Sequence, residues 1–132
     1  MTGSVPLILP VMPSNLEIDM KTSELTGAAL DWAVAKCWYG EDYDMSIPLF
    51  DDGLIFAPST NWAHGGPIIE REWLDITPWP NQSDEDMRWH CQQHDTANDC
   101  AQYGPTPLIA AMRCYVASKL GDEIEIPNEL EN

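Results

Sequence analysis

At 132 residues the chain has room for one domain and a modest core. Its 22 acidic and 6 basic residues leave a formal net charge of −16, which argues against nonspecific nucleic-acid binding, because phosphate contacts need clustered Lys and Arg. No apolar run is long enough to span a bilayer, and the four cysteines (Cys37, Cys91, Cys100 and Cys114) follow no secretory signal, so reduced thiols are expected.

In chain order, residues 1–19 carry Pro6, Pro10 and Pro13 and no Lys or Arg. The prolines forbid a helix, and the charged start of a signal peptide is missing. This stretch reads as a disordered or non-native N-terminal extension, with a natural start at Met20 and a single domain over 20–132. Thr26 is suited to cap a helix through Cys37, with Leu30, Val34, Cys37 and Trp38 at helical spacing. Residues 40–53 are acidic, contain Gly40, Pro48 and Gly53, and read as a loop. Residues 54–56 form a short apolar run expected as a buried strand. A second helical segment starts at Pro58, Ser59 and Thr60; Gly65-Gly66-Pro67 then either bends it or restarts it. Residues 73–77 look like a strand, and Pro78-Trp79-Pro80-Asn81 breaks the pattern. Residues 87–93 alternate, with Met87, Trp89 and Cys91 on one face and Arg88 and His90 on the other. Residues 95–104 read as a polar connection.

The next helix has both ends written in. Thr106 is a good N-cap, Pro107 fits the first helical position, Lys119 suits the last turn, and Gly121 suits the residue beyond. Residues 123–126 alternate like a closing edge strand. The sum is an α+β fold: a small antiparallel sheet packed with about three helices.

Chemistry-bearing residues concentrate in few places. In Asn61-Trp62-Ala63-His64-Gly65-Gly66-Pro67, adjacent glycines can let backbone N–H groups converge on an anion. Trp62 can stack a base, His64 can donate to a phosphate, and Arg71 follows. A tight structural turn with Trp62 in the core accounts for the same residues. Of the six tryptophans, Trp89 belongs to the alternating strand, whereas Trp79 between two prolines is hard to bury and is the better surface candidate. Arg71, Arg88 and Arg113 are natural anion clamps, since guanidinium forks match phosphate geometry. Salt bridges with the abundant acids are the plainer use of them. His90, Cys91, His94, Asp95, Asp99 and Cys100 raise the question of a metal. On a strand, however, positions 90 and 94 lie too far apart to chelate easily, and no paired-cysteine zinc pattern is present. No metal, cofactor or catalytic residue is expected, since no known hydrolase, metalloprotease or phosphate-loop motif occurs.

Three blocks resemble the NinX family of small tailed-phage proteins. The first is Met20-Lys21-Thr22-Ser23-Glu24-Leu25-Thr26-Gly27, continuing through Ala29-Leu30-Asp31-Trp32-Ala33-Val34-Ala35. The second is Pro58-Ser59-Thr60-Asn61-Trp62-Ala63-His64-Gly65-Gly66-Pro67-Ile68-Ile69-Glu70-Arg71-Glu72. The third runs from Gly104 to Asp122. The resemblance implies accessory gene content of lambda-like phages and action on host machinery in the cytoplasm of an infected bacterium. No catalytic motif is established for the family. The expectation is an accessory, anti-defence protein that binds without catalysis and sequesters a small anionic, nucleotide-type host immune signal. Its expected ligand-binding residues are Trp62, His64, Gly65, Gly66, Arg71, Trp79, Arg88 and Arg113. The alternative is an acidic protein–protein inhibitor that faces a basic host protein, one form of which would imitate DNA. A third reading is a small hydrolase or nuclease using His64 or His90 with nearby acids. An open sheet edge would also allow a homo-oligomer.

Overall fold

The computed structural model describes residues 17–40, 50–51, 54–93 and 100–130. Its centre is helix α3 (Pro107–Leu120). The expected ends are in place: the Thr106 hydroxyl accepts the Ile109 N–H at 3.1 Å, and Gly121 takes φ +94° beyond the last turn. Every residue from Ala110 to Ala117 is buried. The helix is therefore covered on all sides, which amphipathic periodicity does not reveal.

One side of α3 lies on a three-stranded antiparallel sheet of β4 (Leu74–Pro78), β5 (Trp89–Gln93) and β6 (Cys100–Gly104), in the order β4-β5-β6. Register sets the faces. Leu74, Gln93 and Cys100 align in one row, and Ile76, Cys91 and Gln102 in the next. These rows look inward. Thr77, His90 and Tyr103 form a row on the opposite face. Gly104 ends β6 because a Cβ there would stand 2.7 Å from the Ala110 nitrogen. Helices α1 (Gly27–Tyr39) and α2 (Trp62–Glu72) also pack on α3. Strands β1 (Glu17–Lys21) and β7 (Glu123–Pro127) pair as an antiparallel ribbon, and β2 (Phe50–Asp51) pairs with β3 (Leu54–Ile55).

The α+β expectation holds, with local corrections. Helix α2 starts at Trp62 rather than at Pro58, because residues 58–60 form a turn in which Thr60 and Asn61 both donate to the Ala57 carbonyl. Asn61 then caps α2 through its side chain, accepting the Ala63 N–H at 2.9 Å. Pro67 does not restart the helix, which runs through it from Trp62 to Glu72. It removes only one ladder hydrogen bond, and the helix is held from outside by packing. Trp73, expected in a strand, instead caps α2 at φ +58°, so β4 begins at Leu74. Strand β6 occupies the end of the stretch read as a loop. Its inner residues Cys100, Gln102 and Gly104 carry no apolar alternation to betray it. At the start of the described residues, Glu17, Ile18 and Asp19 of β1 pair with Pro127, Ile126 and Glu125 of β7.

Arg113 departs furthest from expectation. It does pair with an acid, Asp86, but it is only 2% exposed and is not open as an anion clamp. Its Nε donates to the Leu25 carbonyl at 2.9 Å. Its NH1 group donates to the Tyr103 carbonyl at 2.8 Å and to the Asp86 carboxylate at 3.1 and 3.2 Å. One guanidinium thus ties α3 to the segment before α1, to β6 and to the 3₁₀ turn Glu85–Met87.

Arg113→Met would keep much of the volume but leave two carbonyls without their charged donor. A loss of about 2–5 kcal/mol is expected in urea-induced unfolding. A change under 1 kcal/mol would show that the carbonyls find other partners. The glycines of α2 give a paired test. A Cβ on Gly65 would meet Leu108 Cδ2 and the Pro58 oxygen, each at 2.6 Å, whereas one on Gly66 meets nothing within 4 Å. Gly65→Ala should therefore lower the melting temperature, because overpacking at about 1–3 kcal/mol exceeds the helix-propensity gain of about 1 kcal/mol. Gly66→Ala should raise it. Equal effects at both positions would contradict the close seating of Gly65.

Candidate functional site

The eight residues singled out in the sequence do not converge; the fold distributes them over separate regions. Along α2, Trp62 is the first residue and Arg71 the tenth, separated by roughly 14 Å at 1.5 Å per residue. Trp62 is 55% exposed rather than core. His64 is 3% exposed: its Nδ1 accepts the Ala57 N–H at 2.9 Å, and its ring stacks on Phe56 at 5.4 Å. It faces the interior, so it cannot serve as a surface donor to phosphate. The N–H groups of His64 and Gly65 both donate to the Asn61 carbonyl, at 3.0 and 2.9 Å. The turn that would have formed an anion nest is ordinary helix here, with those donors already used.

The same contacts bear on the hydrolase reading. Asp31 accepts the Ser59 N–H at 2.8 Å, and burial raises its carboxyl above the usual range. The backbone hydrogen bond from Ser59 opposes that shift. A serine–histidine–aspartate relay needs an Nδ1–H aimed at the aspartate, yet this Nδ1 is an acceptor of a backbone N–H. Among the described residues, no group of three or more His, Cys, Asp or Glu is placed to hold a metal. His94, Asp95 and Asp99 lie outside the described residues.

Arg71 belongs to a cluster where the C-terminal ends of α2 and α3 meet. Its guanidinium lies 3.8 Å over the Trp38 ring. Its Nε donates to Glu72 at 2.9 Å, and its NH2 donates to the Tyr115 hydroxyl at 3.2 Å. Lys119 reaches the other oxygen of Glu72 at 3.2 Å and lies 5.9 Å from the Tyr115 ring centre. Both cations suit their helix ends, where the backbone dipole is negative. Glu72 is nearly covered at 11% exposure, whereas Arg71 and Lys119 stay open at 53% and 44%. The Gln93 amide donates to the Glu72 carbonyl and carboxylate, at 3.2 and 3.3 Å, while its own buried oxygen has no partner among the described residues. Burial pushes the Tyr115 hydroxyl up to about 12, so it stays protonated and can donate. Trp73, next along the chain, is 76% exposed in a left-handed conformation that costs a non-glycine residue roughly 1–2 kcal/mol. Lys119 was read only as a helix-end residue. That Arg71 and Lys119 both close helices was visible; that those ends adjoin was not.

Trp79 and Arg88 lie together elsewhere, at the β4–β5 connection. The Trp79 N–H donates to the Arg88 carbonyl at 2.7 Å. The Trp79 ring stacks on His90 at 5.3 Å with planes 9° apart, and Tyr103 stands 5.2 and 5.1 Å from these two rings. All three are half-buried on the sheet face away from α3. The alternation of β5 had placed His90 there. Tyr103 was missed because β6 was not recognised as a strand. Arg113 sits behind this region and is spent on internal partners.

Among the described residues, no helix is long and apolar enough to cross a membrane. No curated protein matches the chain. The family model described as Bacteriophage P22, NinX matches residues 21–119, which span α1, α2, the three-stranded sheet and nearly all of α3. The chain therefore belongs to the NinX family of phage proteins.

Proposed function

We propose that this protein works by binding rather than by chemistry, as a phage anti-defence factor in the cytoplasm of the infected host. In this reading it sequesters a nucleotide-type host signal at the joined ends of α2 and α3. The observation that carries it is the pairing of Arg71 and Lys119 across Glu72, with Arg71 stacked on Trp38. Two exposed cations and one covered carboxylate leave a local charge near +1 in a chain of net charge −16. Local charge governs here, because at physiological salt exposed charges beyond about 8 Å are largely screened. Glu72 and Tyr115 hold the guanidinium in place, so less side-chain freedom is lost when a phosphate docks. The exposed Trp73 ring, next along the chain from Glu72, offers a face for a base.

The test is depletion of a mixed panel of cyclic and linear nucleotides by purified protein, followed by heat release and chromatography. A bound nucleotide should return intact. Arg71→Ala and Lys119→Ala should each weaken its binding about tenfold or more, as expected for a lost charge-assisted hydrogen bond. A nucleotide that returns altered, or affinity unchanged in both variants, would overturn the reading.

A second reading, inhibition of a basic host protein, is favoured by how the bases are used. Arg113 is buried, Lys36 lies 5.4 Å from the Trp32 ring centre, and the β1–β7 ribbon presents Glu17, Asp19, Glu123 and Glu125. Asp19 and Glu125 are direct cross-strand partners, an arrangement that destabilises a sheet when both are charged. Protonated Glu125 donates a hydrogen bond to the Glu17 carboxylate, and this bond and then the Glu17 charge raise the Glu125 carboxyl above its ordinary value. The folded state therefore holds that proton more tightly than the unfolded state, and acidification through the carboxylate range favours folding. Glu125→Gln should raise the melting temperature at pH 7, and its advantage should shrink as pH falls. An advantage independent of pH would show that carboxylate repulsion is not the cause.

A further inference from the structure

We infer that the sheet face opposite α3 is a docking surface for an arginine-bearing basic segment of a protein partner. This deepens the second reading above and rests on it. Trp79, His90 and Tyr103 form one aromatic platform, with the first two rings parallel and the third edge-on. Planar guanidinium groups stack on such faces more readily than ammonium groups do.

The charges beside the platform select a cation. Asp84, Glu85 and Asp86 form an exposed turn in the same β4–β5 connection as Trp79. The turn is preorganised: Asp84 accepts the Asp86 N–H at 2.9 Å, the Met87 N–H donates to the Asp84 carbonyl at 2.9 Å, and Asp86 is anchored on Arg113. Among the described residues neither Asp84 nor Glu85 is in an ion pair, so both carboxylates remain available. Of the bases nearby among the described residues, Arg113 is buried on its own partners, and Arg88 has its Nε turned back to the Gln82 carbonyl at 3.5 Å. An arginine of a partner can thus stack on the rings while its fork meets a carboxylate.

The full-length protein should be titrated with fluorescein-labelled hexa-arginine, hexa-lysine and hexa-glutamate peptides, read by anisotropy. Hexa-arginine should bind more tightly than hexa-lysine, and hexa-glutamate not at all. Trp79→Ala should weaken arginine-peptide binding about tenfold and remove most of the preference over lysine, as expected for loss of a cation–π contact. The Asp84→Asn/Glu85→Gln double variant should weaken both basic peptides and flatten the salt dependence. If arginine binding is unchanged in these variants but lost in Glu125→Lys, the platform is not the docking face, while a basic partner still stands. If no basic peptide binds, both the docking face and the basic-partner reading fail.

Discussion

The buried guanidinium of Arg113 is the constraint on which the rest of the structure depends. A charge 2% exposed must be compensated, and here the partners come from three separate segments: Leu25, Asp86 and Tyr103. Satisfying one side chain fixes where α1 begins, where β6 ends and where the acidic turn sits relative to α3. Apolar packing alone tolerates small slips of a helix across a sheet; a fork with four acceptor atoms does not. The Trp79 platform and the Asp84–Asp86 turn inherit their placement from this node, although neither touches a ligand through it.

The same protein handles its remaining cations in a different way. Arg71 and Lys119 are held at the surface by a shared carboxylate instead of being drawn into the core. Glu72 offsets one charge and orients both, which produces a weakly positive spot on an acidic chain. The opposite condition holds on the ribbon, where carboxylates face one another and Glu17 raises the Glu125 carboxyl above its ordinary value. Surface charge is thus segregated, and the two proposed partners, an anionic nucleotide and a basic protein segment, address different faces.

How much was legible depended on whether a signal was local. The capped ends of α3 were, because Thr106 and Gly121 act on backbone groups within a turn of themselves. So was the outward face of His90, which follows from strand alternation alone. The start of α2 was not: Ser59 and Thr60 look like caps, but a turn held by the Ala57 carbonyl moves that role to Asn61. Strand β6 was hidden because its inner positions are Cys100, Gln102 and Gly104, chosen to fit against α3 rather than to alternate. Gly65 reads in the sequence as part of an anion nest, but its use is close approach to Pro58 and Leu108.

The amino-acid sequence by itself determined the α+β class, the limits of α3, the acidity and the three family blocks. These rest on composition, capping and periodicity, all of which act over a few residues. Only the tertiary structure decided what each arginine does. Arg113 is enclosed by partners 10 to 88 positions away, and Arg71 meets Lys119 because two helix ends adjoin. The physical reason is that a cation's role depends on the solvent and charges around it in space. Those are set by long-range packing and leave no mark in the residues on either side.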